Sequence, residues 1–318
     1  MTVSPSWQSI LQRIIKTPTE RQRLATALGV TTMTLTRWGN EESNPQRPHL
    51  IRLVQVVQPQ HRQELLEALR RSYPEIESWL KDNATEQVAA EFFAQVLNMR
   101  TTTIESLRFW HISDLVLKQA LVQLDPNQLG MAITLVQCMP PRPDGKIRSL
   151  RERVGKGTLP WTADLEHLAL FLGMESLAGY VVDSCRVQSI EDLRKHHLVP
   201  AYQTDFEISA AAHPIWLGGQ LAGCLLVSST QLGYFSQQRM ALLAVFSDLI
   251  SLAFDKRDFY PPGQIELRPM PAPEKQRPVL VTFRQRVADA QYKLHLNNAA
   301  AEQKAWQDIE EELLAMKE

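Results

Sequence analysis

The sequence predicts an α+β protein: an all-α N-terminal domain, then a domain of strands and flanking helices, then a helical C-terminal tail. Three observations predict it. From Trp7 to Leu69 the apolar residues recur at helical spacing. At Asp125-Pro126 the texture changes to β-branched runs broken by proline and glycine turns. Six prolines, at 261, 262, 269, 271, 273 and 278, then precede a last helical stretch.

Taken in order, Trp7, Ile10, Leu11, Ile14 and Ile15 share one helical face. Thr17-Pro18-Thr19 ends that helix and starts the next, with Thr19 as its cap. Leu24, Ala25 and Leu28 form the second inner face, and Gly29 stops the helix because glycine takes a left-handed conformation cheaply. Thr31 or Thr32 starts a third helix carrying Met33, Leu35 and Trp38. Asn44 to Pro48 reads as a loop, and Leu50 to Val57 and Leu65 to Leu69 as a fourth and fifth helix. After the junction at Tyr73-Pro74, helices are expected over about Thr85–Met99 and Thr103–Leu124.

The second half reads differently. Met131–Met139 is an apolar strand, Pro140 to Gly145 a turn, and Lys146–Val154 an exposed, alternating strand. Val154 to Trp161 reads as a glycine-flanked loop, and Thr162–Leu172 as a helix. Glu207–Leu217 and Gln220–Ser229 form a hairpin across Gly218-Gly219, followed by a helix over about Ser236–Asp255. The segments are therefore 1–72, a helical domain; 84–124, connecting helices; 125–257, the strand-bearing domain; 258–278, a proline-rich linker; and 279–318, the tail. In the tail, Leu280, Phe283, Val287 and Leu294 give one apolar edge and Trp306, Ile309, Leu313 and Met316 another. Docking on the body and dimerisation both stay open for it.

Composition narrows the function classes. The chain has 318 residues, 44% hydrophobic and 22% charged, with a formal net charge of −1. Such a balance excludes a protein that coats nucleic acid along its whole length, but not a local basic face. Cys138, Cys185 and Cys224 are odd in number, far apart and without a CxxC, which fits reduced thiols in the cytoplasm. No apolar run reaches the roughly 20 residues needed to span a bilayer, so no membrane partner is expected.

The pattern Arg21-x-x-Leu24-Ala25-x-x-Leu28-Gly29-Val30-x-x-x-Thr34-Leu35-x-Arg37-Trp38 resembles the phage-repressor (Cro/repressor, Xre-like) helix-turn-helix family. Ala25 permits a close helix crossing, Gly29 makes the turn, and Val30 and Leu35 lock the two helices. The resemblance implies that Thr31, Thr32, Met33, Thr34 and Arg37 face a DNA groove, with Arg47 beside them. Residues 1–62 carry eight basic and three acidic side chains, a difference of +5, which supplies attraction to phosphates. A bundle that docks a protein is the alternative.

The pieces Ser209 to Ile215, Gly218-Gly219-Gln220, Leu221 to Ser229 and Phe235-Ser236 are similar to the end of GAF domains. That resemblance implies an antiparallel-sheet α/β fold, helices that often pair into a homodimer, and in many members a small-molecule ligand. Gly223 is expected to admit a close-packed helix and Ser236 to cap the last helix. Arg151 and Lys156 are candidates to meet a ligand's anion. Trp161 either stacks on the ligand's ring or fills the core, and His213 is either a ligand contact or a hydrogen-bonded core histidine. Haem would need an axial histidine from His167, His196, His197 or His213, and none has a supporting motif. Cys185 is the sole residue suited to bilin attachment, and the cysteine spacing does not support sulfoxide reduction. The cofactor is unknown, and no catalytic or metal-binding set is found. The expectation is a non-enzymatic, DNA-binding transcriptional regulator with a GAF-like sensor domain. The alternative is a signalling scaffold whose helical domain binds a protein.

Overall fold

The computed structural model describes residues 5–81, 87–165, 170–195 and 206–316. The chain divides into two compact units, Met1–Thr85 with Asp125–Gly130, and Glu86–Leu124 with Met131–Glu318. The helices expected to connect two domains thus belong to the second unit, and the short stretch after them to the first.

The first unit is all helical: α1 (Trp7–Ile14), α2 (Pro18–Leu28), α3 (Thr32–Gly39), α4 (Arg47–Val56), α5 (Pro59–Ser72) and α6 (Ile76–Lys81). Trp7, Leu11, Leu24, Ala25, Leu35, Trp38, Leu50, Leu53 and Leu65 meet in one core. The cap of α2 is Thr17, not Thr19, because Pro18 lacks an N–H and suits the first helical turn. For the same reason α4 starts at Arg47, with Pro48 in its first turn, so Arg47 is a helix residue and not part of a loop. Gly29 ends α2 at φ +68°, as expected. The Gly29 N–H donates to the Thr26 carbonyl at 3.2 Å and the Val30 N–H to the Ala25 carbonyl at 3.0 Å, a Schellman turn that satisfies the last carbonyls. Thr31 then caps α3. The buried Arg62 guanidinium ties the unit together by donating to the Val54, Gln55 and Gln128 carbonyls.

The second unit begins with α7 (Ala90–Thr102) and α8 (Glu105–Leu124), so α7 starts several residues later than expected. Its sheet comprises β1 (Met131–Cys138), β2 (Leu150–Gly157), β3 (Phe171–Leu172), β4 (Gln188–Ile190), β5 (Ser209–Leu217) and β6 (Gln220–Ser229). The order is β3-β2-β1-β6-β5-β4, with antiparallel pairing throughout. α9 (Leu177–Ser184) covers the face bearing Val136, Leu150, Ala210, Ala212 and Cys224. The alternate residues Ile133, Leu135, Leu225 and Val227 are buried on the other face, against α8 and α10 (Gln237–Ser251). Ser236 caps α10 as expected, accepting from the Arg239 N–H. The Tyr234 hydroxyl donates to the Leu124 carbonyl at 2.8 Å and joins the end of α8 to the start of α10.

Three local expectations are corrected. The second strand runs over Leu150–Gly157 and is largely buried, so Val154 to Gly157 are strand and not part of a glycine-flanked loop. Thr162–Leu172 is not helical over its described residues. The Leu165 N–H donates to the Gly155 carbonyl at 3.0 Å, and Phe171–Leu172 is β3, so this segment takes up hydrogen bonds along the outer edge of β2. Gly223, at φ +147°, makes room for a strand and not a helix: an added Cβ would lie 2.0 Å from the Val136 carbonyl oxygen of β1.

The proline-rich stretch is tied down, whereas an extended linker was expected. The Ile147 N–H donates to the Gln264 carbonyl and the Glu266 N–H to the Ile147 carbonyl, and Ile265, Leu267 and Met270 are buried. It leads into α11 (Pro273–Leu280), α12 (Phe283–Leu294) and α13 (Asn298–Ala315). Val279, Ile309 and Leu313 pack against Met139, Phe171 and Met270, which docks the tail on its own body. Leu294, expected on the apolar edge, is exposed.

Candidate functional sites

Two places gather side chains suited to binding. The first is the edge of α3. Leu35 and Trp38 face the core, which turns Thr31, Met33 and Arg37 outward. Met33 is 69% exposed at the centre of this edge. The Thr31 hydroxyl accepts from the Thr34 N–H at 3.1 Å and lies 2.9 Å from the Thr34 hydroxyl, so both threonines are partly committed to the cap. Thr32 is half-buried. Arg37 is exposed, with Glu42 at 3.7 Å. Arg47 sits 5.3 Å over the Trp79 ring at the start of α4.

The surrounding charge is smaller than the sequence count of +5 suggested. Arg62 is one of the eight basic residues, yet it is buried and spends its N–H groups on carbonyls. Arg13 pairs with Glu64 and Arg23 with Glu20, which raises the pKa of both arginines. Lys16, Arg37 and Arg52 remain the more outward cations.

The second place is a half-open cavity of about 820 Å³ in the second unit. Its walls include Arg151 and Arg153 of β2, Trp110 of α8, Tyr260, Asn297 and Trp306 of α13. A bulge between Leu135 and Val136 shifts the β1–β2 register. The Arg151 guanidinium lies 3.8 Å from the centre of the Trp306 ring, which also stacks on Phe283 at 4.0 Å and 22°. Arg153 lies 4.5 Å over Phe109 and donates to the Gln137 side-chain oxygen at 2.6 Å. Burial lowers the pKa of both arginines, that of Arg151 more, where the neighbouring Arg153 adds to the effect; Glu302 opposes it at both and Asp258 at Arg153. Burial also pushes the Tyr260 phenol up to about 12.

Of the predicted ligand residues, only Arg151 lines this cavity. Lys156 sits in β2, held by Asp114 at 2.9 Å and by Asp164. Trp161 fills a small core with Ala132 and Leu165, edge-on to Phe206 at 4.9 Å. His213 is half-buried in β5, its Nδ1 3.0 Å from the Pro214 carbonyl, and burial lowers its pKa. His167, His196 and His197 lie outside the described residues. The sequence reading missed Arg153, Trp110, Asn297 and Trp306. The available signal was the Arg151-x-Arg153 alternation, which puts two cations on nearby positions of one strand.

Cys138 and Cys224 are buried, and burial raises both thiols, Cys138 to about 12. Among the described residues no group of three or more His, Cys, Asp or Glu is placed to hold a metal ion, and no helix is long and apolar enough to cross a membrane.

Residues 117–254 match the family model of the GAF domain, so this part of the chain is a GAF domain. Its mixed helices and six-stranded antiparallel sheet fit that fold. Among solved structures, a type II free methionine-R-sulfoxide reductase from Thermoplasma acidophilum is 13% identical, with 47% of this chain and 99% of that chain covered and a TM-score of 0.35. The GAF domain of an Acinetobacter phosphoenolpyruvate-protein phosphotransferase is 16% identical over 51% of this chain and 90% of that one, with a TM-score of 0.36. A free methionine-R-sulfoxide reductase from Neisseria meningitidis, in complex with its substrate, is 13% identical over 54% and 94%, with a TM-score of 0.33. No curated protein matches the chain.

Proposed function

We propose that the chain is a cytoplasmic, homodimeric transcriptional regulator in which the N-terminal unit binds double-stranded DNA and the GAF domain senses a small ligand. The observation that carries the DNA reading is the α2–turn–α3 geometry. A Schellman turn at Gly29 is followed by a helix with Leu35 and Trp38 locked inward and Thr31, Met33 and Arg37 outward. In this reading Arg37 meets a phosphate or a guanine, and Thr31, Thr32, Thr34 and Arg47 add backbone contacts. Exposed Phe93, Leu97, Ile104 and Leu107 on and beside α7 and α8 support pairing of two copies through these helices. A ligand that favours one packing of the paired helices would then change the spacing of the DNA-binding heads. The reading is non-catalytic, which the burial and raised pKa of the Cys138 and Cys224 thiols support.

The test is fluorescence anisotropy of the full chain on labelled duplex from its own promoter region, across a salt series. DNA binding through several phosphates predicts a log–log slope of about −3 or steeper. A flat salt response would overturn it. One observation favours a second reading, a protein-docking scaffold: the apolar Met33 is the most exposed large side chain of the α3 edge. That reading predicts tight partner capture without salt-sensitive DNA binding.

A further inference from the structure

The cavity walled by β2, α8 and α13 has a polarity that neither the helical edge nor the sheet core explains. Arg151 is only 9% exposed, its Nε is buried without a partner, and among the described residues its side chain makes no hydrogen bond or ion pair. A buried guanidinium in that state is costly, because its Nε–H has left water without a replacement acceptor. Stacking on Trp306 offsets part of this cost and fixes the plane of the group, but supplies no acceptor.

We propose that this cavity binds an aromatic oxyanion, an aryl or heteroaryl body bearing a phosphate or carboxylate. Arg151 faces the charged end with planar N–H donors. A second source of positive potential stands beside it: α13, 18 residues long, begins at the cavity wall, with Asn297 capping the Ala300 N–H at 3.0 Å. Arg153 adds a further cation, already oriented by Gln137. The acidic wall residues, Asp258 and Glu302, favour the charged form of the arginines through space but place their hydrogen bonds elsewhere. Asp258 accepts from the Asp255 N–H at 2.9 Å, and Glu302 accepts from the Asn298 amide at 2.8 Å. The aromatic part of the ligand has a surface too, since Trp110 lines the cavity and is 44% exposed. A volume of about 820 Å³ holds a molecule of mononucleotide size.

The inference gives the proposed sensor a place and a ligand class, and rests on that reading only for its regulatory meaning. Binding is therefore measured on DNA-free, full-length chain, so failure here and failure of DNA binding are separate results. The probes are adenosine monophosphate, phenyl phosphate, benzoate, phenol and inorganic phosphate, read by tryptophan fluorescence and calorimetry. At least one of adenosine monophosphate, phenyl phosphate and benzoate should bind saturably, and at least tenfold more tightly than phenol or inorganic phosphate. The more tightly bound of the phosphates and benzoate then identifies the oxyanion. Arg151→Met should weaken that binding at least tenfold. Trp110→Ala should weaken it several-fold while leaving the response to inorganic phosphate unchanged. Should Arg151→Met fail to fold, Ala300→Trp decides, because it fills the cavity from a half-buried helix position. No saturable binding by any of the three aromatic anions, or equal affinity in the folded Arg151→Met or Ala300→Trp variants, would overturn the inference.

Discussion

The cations of the α3 edge and those of the cavity do opposite kinds of work. Arg37 is exposed, loosely paired with Glu42, and held by little else. Arg151 and Arg153 are withdrawn from water and clamped on aromatic rings. An exposed cation acts through a field that salt screens within about 8–10 Å. A withdrawn one acts through fixed geometry that salt reaches poorly. The first can serve a polyanion whose exact position varies, and the second selects a small anion of one shape. Arg62 adds the limiting case, a buried cation consumed entirely by its own fold.

The largest expected effect tests that limiting case. Arg62→Met strands the Val54, Gln55 and Gln128 carbonyls and should destabilise the first unit by about 3 kcal/mol in denaturant unfolding. A loss below about 1 kcal/mol would mean that Arg62 is as dispensable as a surface cation. Next, Gln276→Leu removes the side chain that accepts from the Phe171 N–H and donates to the Phe171 carbonyl, both at 2.8 Å. It should cost about 1–3 kcal/mol and release the tail to limited proteolysis. Third, Arg37→Ala should leave the melting temperature unchanged within about 1 °C while weakening DNA binding about fivefold and making the salt slope shallower by about one. Equal DNA affinity would remove the α3 edge from the binding surface.

The smallest effect concerns a part-buried carboxyl, that of Glu152. Burial pushes the Glu152 carboxyl up to about 7 from its ordinary 4.5, and among the described residues the Leu170 N–H is the one donor to it. A raised folded pKa means that stability is fullest below pH 4.5 and declines as pH rises through 7. Thermal melts between pH 5 and 8 should fall by a few degrees from this group, and Glu152→Gln should flatten that slope.

How much of this was legible depended on how local the cause was. The turn at Gly29, the cap at Thr31 and the hairpin at Gly218-Gly219 are set within a few residues, and all are readable from spacing. α9 was missed because it is only eight residues long: its outward face, Tyr180, Asp183 and Ser184, covers a single turn, too little to establish a helical period. The apolar spacing of Leu165 and Leu172 suggested a helix, yet the hydrogen bonds that decide the matter come from β2. The cavity was the least legible. Arg151 was singled out beside a loop, while its partner Trp306 lies far along the chain and only the docked tail brings the two together.

The Gln276 side chain has a practical consequence. Its amide offers the outer edge of β3 the donor and acceptor that a neighbouring strand would offer. A fragment trimmed at the end of the family match, residue 254, would lose that plug along with Trp306 and Phe283. Such a fragment should self-associate by edge-to-edge pairing, and its size in solution would report the cut, not the native assembly. Any dissection of this chain should therefore keep the tail on the domain, as one expression unit.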